Sequence, residues 1–307
     1  MNKQQSSNSN TSISKVCLIS AMVIFSTIGI FRRYIPLPSS VLAAARGLIG
    51  TIFLMLVFLV KKEKFHPNSI KKNLFLLLLS GFFIGFNWIL LFESYRYTTV
   101  ATATLCYYMA PIFVMIVSPF LAKEKMTLKK LLCIISSLVG MVFVSGILTE
   151  IRSNGMPAIT QLKGILFGLG AAAFYASVIL LNKRIDGVGA YEKTIFQLGC
   201  AAVTLLPYVL LTESFDAVKL TPVVLVLLVL VGVVHTGIAY ALYFHSMSDL
   251  KAQTIALYSY IDPVLAIILS ALLLKEKMHP LAILGAILIL GAALISEMAE
   301  SKESGTN

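Results

Sequence analysis

Residues 108–126 read YMAPIFVMIVSPFLAKEKM and residues 260–278 read YIDPVLAIILSALLLKEKM. A tyrosine, a proline, a serine and a closing Lys-Glu-Lys-Met recur at a shift of 152 residues. At this shift, roughly a third of the positions from 85 to 126 are identical to their counterparts, and no gap is needed. Shared hydrophobicity alone does not explain why the same four residues, Lys-Glu-Lys-Met, follow two apolar runs at matching positions. The chain therefore contains an internal repeat.

The composition predicts a multi-span membrane protein. Of 307 residues, 58% are hydrophobic and 13% are charged, and the mean hydropathy is +0.89. Soluble domains are typically about 45–50% apolar and about 25% charged. The net charge of +11 comes mostly from short segments between apolar runs, a distribution that excludes a nucleic-acid-binding domain. The four cysteines lie inside apolar runs without metal or redox spacing, which excludes a disulfide scaffold.

The fold class that we expect is an all-α integral membrane protein. A spanning helix needs about 20 mostly apolar residues. Ten stretches qualify, at residues 16–34, 40–60, 73–95, 99–122, 128–148, 162–182, 191–211, 221–245, 252–274 and 279–298. The predicted organisation is a disordered head, a first five-helix repeat, a linker, a second five-helix repeat and a tail, at residues 1–14, 15–149, 150–161, 162–298 and 299–307 respectively.

The distribution of lysine and arginine predicts the orientation. With the N-terminus inside, the inside segments hold 16 basic residues and the outside segments hold 8. This bias places both termini in the cytoplasm and the linker outside. A five-helix unit crosses the membrane an odd number of times, so the second repeat is inverted relative to the first. Inverted repeats are typical of secondary transporters, whose binding site lies between the halves near the middle of the membrane.

Three segments resemble EamA-type transporters of the drug/metabolite transporter superfamily. They are Tyr108 to Pro111 with the run ending at Lys125, the matching Tyr260-Ile261-Asp262-Pro263 with its run ending at Lys277, and an Ala-Ala-Arg run at Arg46. The resemblance implies a central cavity lined by the first four and the sixth to ninth helices, with the fifth and tenth outside it. It also implies export of amino acids and other metabolites, or uptake of small cations. Glu93 departs from the family pattern.

Ionisable side chains inside the bilayer are costly and are functional candidates by default. Asp262 lies mid-way along the ninth span, before Pro263, and is a candidate for binding a cation or a proton. The alternatives are that it caps a kinked helix or pairs with Arg46. Arg46 could bind a substrate carboxylate, neutralise a carboxylate of the protein, or extend to the interface. Glu93 and His245 occupy matching repeat positions and are candidates for coupling or gating, with a purely interfacial location as the alternative.

Aromatic and amide side chains at mid-depth predict a cavity wall. Tryptophan and tyrosine normally gather at membrane interfaces, so a mid-depth set indicates binding of a ring or a cation. Helix packing is the alternative for each of them. Pro111 and Pro263 are expected to kink their helices. The substrate-binding candidates besides Arg46 and Asp262 are Asn87, Trp88, Tyr107, Tyr108, Gln197, Tyr240, Tyr258 and Tyr260.

The leading functional hypothesis is a secondary transporter that exports a small amphipathic or amino-acid-like metabolite with proton coupling. The alternative is an uptake carrier for an organic cation such as a quaternary amine, and a membrane enzyme or a lipid scramblase ranks below both. No nucleotide-binding loop, metal cluster or catalytic pair appears, so we expect no enzyme activity, cofactor or metal. The expected partners are a small molecule and the lipid bilayer of a bacterial cytoplasmic membrane, without nucleic acid. The sequence is also compatible with a homodimer.

Overall fold

The computed structural model describes residues 2–63, 65–121, 127–144, 158–214, 220–250, 255 and 258–304, and most of these residues lie in helices. In chain order the helices are α1 (Asn2–Ser26), α2 (Ile28–Tyr34), α3 (Ser39–Val60), α4 (Pro67–Lys72), α5 (Leu74–Tyr97), α6 (Val100–Tyr107), α7 (Ala110–Leu121), α8 (Leu128–Val144), α9 (Ala158–Asn182), α10 (Ala190–Thr212), α11 (Pro222–Leu230), a π-helical turn (Val231–Ile238), α12 (Ala239–Asp249), α13 (Ile261–Leu273) and α14 (Pro280–Ser304).

The helices are those of a multi-pass membrane protein. Within the described ranges, seven helical stretches are long and apolar enough to cross a bilayer: Ser12–Tyr34, Ser39–Val60, Leu74–Tyr97, Val100–Val117, Ile159–Asn182, Ala190–Thr212 and Pro222–Ser246. Two shorter apolar helices, Ile261–Leu273 and Pro280–Ile295, coincide with the predicted ninth and tenth spans. The count of ten spans and the location of both termini stay predictions.

Helices extend into both predicted terminal segments. Helix α1 begins at Asn2 within the predicted disordered head and continues into the first span as far as Ser26. The predicted tail is likewise helical as far as Ser304, as the end of α14. The Lys123–Met126 run with Glu124, and residues 145–157 of the fifth span and linker, lie outside the described residues.

The fourth and ninth spans are each interrupted next to a predicted kink proline. The fourth divides into α6 and α7, with Tyr108 and Met109 in the turn and Pro111 in the first turn of α7. Pro263 lies in the first turn of α13, which follows Tyr260. A proline is tolerated in the first turn, because the missing N–H there has no helical partner to lose. Both prolines thus start a new helix rather than bend a continuous one.

The packing of helices in one half has a counterpart in the other. Helix α5 packs on α9, and α12 packs on α1, which is the same contact with the halves exchanged. Helices α3 and α10, α6 and α13, and α8 and α14 pair equivalent positions of the two repeats. This arrangement is what a two-fold relation between the halves requires, and the inversion of the second repeat stays a prediction. Helices α8 and α14 form a pair at one side of the bundle.

The contact between α8 and α14 depends on two glycines. A Cβ built on Gly285 would lie 2.5 Å from the carbonyl oxygen of Gly140, and one on Gly140 would lie 2.7 Å from that of Gly285. Small residues let membrane helices approach at the backbone. The close approach leaves no space for a larger residue at either position.

Gly285→Ala is expected to lower the melting temperature of the detergent-solubilised protein by several degrees. The added methyl group meets backbone rather than a movable side chain, and overpacking costs about 1–3 kcal/mol. Gly291→Ala on the same helix is the matched control, because nothing lies within 4 Å of its Cβ position. It should leave the melting temperature unchanged or raise it through helix propensity. Equal effects of the two substitutions would contradict this account of the contact.

Candidate functional site

A cavity of about 310 Å³ lies between the two halves and is lined by residues of α1, α2, α3, α5, α6, α7, α9, α12 and α13. Small-molecule sites occupy about 300–1,000 Å³, so the volume suits a small metabolite. The described parts of α8 and α14 do not line it. The predicted site residues that do line it are Arg46, Asn87, Trp88, Tyr107, Tyr108, Pro111, Tyr240 and Asp262.

Arg46 provides the positive charge of the cavity. Its guanidinium lies 4.3 Å from the centroid of the Trp88 ring and 5.8 Å from that of Phe92. Its Nε donates to Thr236 Oγ1 at 2.7 Å, and this is the hydrogen bond that Arg46 makes within the described residues. The two terminal nitrogens therefore keep their donors for a ligand. A planar guanidinium with its terminal donors directed together is suited to binding a carboxylate through two hydrogen bonds.

The position of Arg46 depends on an irregular turn in the facing helix. Thr236 belongs to the π-helical turn Val231–Ile238 and is fully buried. A Cβ on Gly50, one turn after Arg46 on α3, would collide with the Thr236 side chain. The glycine lets the π-helical turn approach α3, and the approach brings the Thr236 hydroxyl to Nε of Arg46. Isolated π-helical turns occur frequently at functional sites.

Asp262 provides the negative charge. It lies in the first turn of α13, where the helix dipole favours a negative charge. Tyr108 Oη donates to Asp262 Oδ2 at 2.9 Å, while Oδ1 accepts no hydrogen bond from the described residues. Within the same part of the chain, no ion pair joins Asp262 to Arg46 or to another basic group. The cavity therefore holds a carboxylate and a guanidinium that do not neutralise each other by contact.

Tyrosine rings form the wall near Asp262. Tyr107 stacks on Tyr175 with ring centroids 5.3 Å apart, and its ring meets that of Tyr108 edge-on at 6.2 Å. The Tyr240 ring, also in the cavity wall, contacts that of Phe25 with centroids 5.4 Å apart. Asn87 lines the cavity, but its amide nitrogen donates to the carbonyl of Ala171 at 2.6 Å and ties α5 to α9.

Three predicted binding residues do not line the cavity. Gln197 donates to Ser80 Oγ at 2.7 Å and to Asn182 Oδ1 at 2.6 Å, so its amide joins helices within the bundle. Tyr260 packs with its ring 6.3 Å from that of Tyr108, behind the cavity wall. Tyr258 packs against the apolar cluster around α1. The repeat alignment and mid-depth position that selected these residues say nothing about the direction of a side chain.

The two predicted coupling residues outside α13 also lie away from the cavity. Glu93 accepts from Arg96 Nη1 at 2.8 and 3.1 Å, one turn further along α5, in a solvent-accessible ion pair. His245 is exposed near the end of α12. Both positions are near helix ends, which is the interfacial alternative that the sequence leaves open.

Several cavity residues were not identified from the sequence. Tyr95, Tyr175 and Tyr243 line the cavity, as do Phe25 and Ser259. Tyr175 lies in the middle of its span, so the criterion of mid-depth aromatics could have selected it. No sequence signal marks Thr236 as the residue that holds Arg46, because the π-helical turn has no recognisable pattern. Within the described ranges, no group of three or more His, Cys, Asp or Glu side chains could hold a metal ion.

Comparison with known proteins gives consistent matches over most of the chain. The sequence model of the EamA-like transporter family matches residues 13–146 and again residues 162–298. The uncharacterized transporter YxxF of Bacillus subtilis (strain 168) is 31% identical over 303 residues, covering 98% of this chain and 94% of that protein. The uncharacterized transporter YoaV of the same organism is 26% identical over 256 residues, covering 82% and 85% respectively. A solved crystal structure aligns with a TM-score of 0.62 at 19% identity, covering 95% of this chain and 99% of that one, and shares the fold.

Proposed function

Because the chain belongs to the EamA-like transporter family, we propose that it is a secondary transporter for a small amino-acid-like metabolite. The observation that carries the proposal is the pair of charged groups in one cavity. The terminal nitrogens of Arg46 and Oδ1 of Asp262 have no partner among the described residues. A zwitterion supplies a carboxylate for the first group and an ammonium for the second. The tyrosine rings of the same cavity suit an apolar or aromatic side chain of the substrate.

Proton coupling follows from competition for Asp262. A carboxylate that lacks a cationic partner inside a bilayer is stabilised by binding either a proton or a substrate ammonium group. The two cations exclude each other from one oxygen pair, so one turnover exchanges substrate for a proton. An inward proton gradient then drives the substrate outward. The proposed activity is therefore proton-coupled export across the bacterial cytoplasmic membrane, by alternating access of the cavity to either side.

Thermal stability of the purified protein against a panel of ligands tests the proposal. The panel compares aromatic and aliphatic amino acids with their methyl esters, the corresponding amines, and quaternary amines. A ligand that binds the native state stabilises it by RT ln(1 + [L]/Kd), about 2.7 kcal/mol at a hundredfold excess over Kd. We expect stabilisation by free amino acids and a much smaller effect of esters and amines. Equal stabilisation by an amino acid and its ester would contradict a role for Arg46 in binding a carboxylate.

The tyrosine set supports a second candidate, an uptake carrier for an organic cation. The rings of Tyr107, Tyr108 and Tyr175 are in contact with one another in the cavity wall, and Tyr108 is hydrogen-bonded to the Asp262 carboxylate. Aromatic faces beside a carboxylate bind quaternary ammonium groups. This candidate predicts that quaternary amines stabilise the protein and amino acids do not. Arg46, a second positive charge in the same cavity, favours the zwitterion.

A further inference from the structure

Glu276 is a buried carboxylate that joins three helices. It follows α13, where Lys275 adopts a left-handed backbone conformation with φ of 55° that turns the chain back on itself. The Glu276 residue is 6% exposed. Its Oε1 accepts from Arg33 Nη2 at 2.9 Å, while Oε2 accepts from the backbone N–H of Val100 and from Ser270 Oγ, each at 2.8 Å. A lysine in a conformation that favours glycine is strained, and such strain persists where the surroundings impose it.

The hydrogen bonds of Glu276 connect the two halves of the chain. Arg33 and Val100 belong to the first repeat, whereas Ser270 and Glu276 belong to the second. Val100 begins α6, and its N–H is one of the four in the first turn that have no partner within the helix. The carboxylate satisfies this donor and interacts with the positive end of the helix dipole. The same Arg33 nitrogen also donates to the carbonyl oxygen of Thr98 at 2.7 Å, which fixes the position of Arg33 within the first half.

This cluster lies directly beyond one end of the cavity. Ala266 and Thr104 line the cavity, and Ser270 and Val100 are each four residues away on the same helices. Four residues of helix span about 6 Å. Helix α2 packs closely against the first turn of α6 at this position, since a Cβ on Gly29 would lie 2.5 Å from Cγ1 of Val100. A solute in the cavity therefore cannot leave between these helices unless the contacts of Glu276 break.

We propose that Glu276, with Arg33, Ser270 and the first turn of α6, is the outer gate of the transport cycle, closed in this structure. The inference rests on the proposed function and on the predicted orientation, which places these helix ends outside. Polar contacts suit a gate that opens in every cycle. Water replaces the hydrogen bonds when the helices separate, and Arg33 already reaches solvent with a side chain 26% exposed. A gate closed by apolar packing alone would expose hydrocarbon to water each time it opened.

The test measures access to the cavity from outside the cell. In a variant without native cysteines, Thr104→Cys places a thiol on the cavity wall near the gate. Its reaction with a membrane-impermeant methanethiosulfonate added to whole cells reports opening on the outer side. Glu276→Gln keeps the size and the acceptor oxygen but removes the charge that Arg33 binds. Because hydrogen bonds to charged groups contribute more than neutral ones, we expect the labelling rate to rise about tenfold.

Glu93→Gln is the matched control. It removes a carboxylate from an ion pair that links two residues of one helix and bridges no helices. Its labelling rate should equal that of the parent. Ser270→Ala and Arg33→Gln each remove one partner of Glu276, and each should raise the rate several-fold. If Glu276→Gln does not fold, these two variants test the outer gate in its place.

Different results would contradict the proposed gate and the proposed function. Equal labelling rates in Glu276→Gln and Glu93→Gln, or a rise seen only with reagent on the cytoplasmic side, would overturn the outer gate whichever ligand binds. Labelling needs no substrate, so a panel in which no amino acid stabilises the protein would contradict the substrate class and leave the gate result standing. An intact ligand response in Glu276→Gln shows that faster labelling reflects opening rather than unfolding.

Discussion

Asp262→Asn is expected to lower the affinity for the amino-acid substrate by about 10- to 100-fold. Hydrogen bonds to charged groups contribute about 1.5–3 kcal/mol, and 1.4 kcal/mol is a factor of ten in affinity. The substitution keeps the acceptor for Tyr108 and the size of the side chain, so it removes the charge with little change of shape. Ligand-induced thermal stabilisation and equilibrium binding of the purified variant measure the loss.

The pH dependence of binding should disappear in the same variant. In the parent, protonation of Asp262 removes the partner of the substrate ammonium, so affinity should fall as the pH is lowered from 8 to 5.5. The asparagine side chain does not titrate in this range, and its affinity should be equally weak at both ends. Flux of the parent in vesicles should respond to an imposed pH gradient, and that of Asp262→Asn should not.

Asp186→Asn is the control for this experiment. It makes the same chemical change at an exposed position after α9, away from the cavity. Its affinity and pH dependence should match those of the parent. A pH dependence that survives in Asp262→Asn would assign coupling to another group, and unchanged affinity would remove Asp262 from the binding site.

Arg46→Gln is expected to weaken binding of the same substrate by about 100-fold. Truncating one partner of a buried hydrogen-bonded charge pair costs about 2–5 kcal/mol. Arg46→Lys should recover only part of this loss, since an ammonium group cannot form the two parallel hydrogen bonds of a guanidinium. Amines without a carboxylate should bind the parent and Arg46→Gln equally well. Isothermal titration with an amino acid and its decarboxylated analogue measures both effects.

Substitutions of Thr236 test the effect of the orientation of Arg46 separately from the effect of its charge. Thr236→Val removes the oxygen that accepts from Arg46 Nε, and Thr236→Ser keeps it. We expect the valine variant to lose affinity for the amino acid about tenfold and the serine variant to resemble the parent. Arg96→Gln, at an exposed ion pair, is the control for loss of a guanidinium. If Arg46→Gln weakens the amine as much as the amino acid, its effect is on the structure of the cavity and not on carboxylate binding.

The internal repeat and the polar residues within apolar runs were visible in the sequence, and they selected both charged residues and part of the aromatic wall of the cavity. The depth of Trp88, Tyr107, Tyr108 and Asp262 in the membrane follows from counting residues along the span to which each belongs. The count gives a depth because the thickness of the bilayer fixes the length of a span. Gln197 and Tyr258 satisfy the same criterion and lie elsewhere. Depth limits a residue to a layer of the membrane, while the direction of its side chain depends on which helix packs against it.

Glu276 shows the same limit at a helix end. The sequence places it in a polar run between two lysines, which is typical of an interfacial helix terminus. The structure buries it against Arg33 and Val100, more than 170 residues away along the chain. Nothing local in the Lys-Glu-Lys run distinguishes a solvated carboxylate from one that joins two halves.

The sequence by itself determined that this is a membrane protein made of helices, that its two halves repeat, and which residues lie deep in the bilayer. These properties follow from local composition and periodicity, because a backbone in lipid must satisfy its hydrogen bonds within each helix. Only the tertiary structure decided that Arg46 and Asp262 line one cavity without pairing, that Thr236 holds the guanidinium, and that Glu276 joins the two halves of the chain. Those contacts depend on the rotation and approach of helices distant in sequence. Glycines such as Gly50 and Gly29 permit a close approach, but their presence in the sequence does not identify the helix that packs against them.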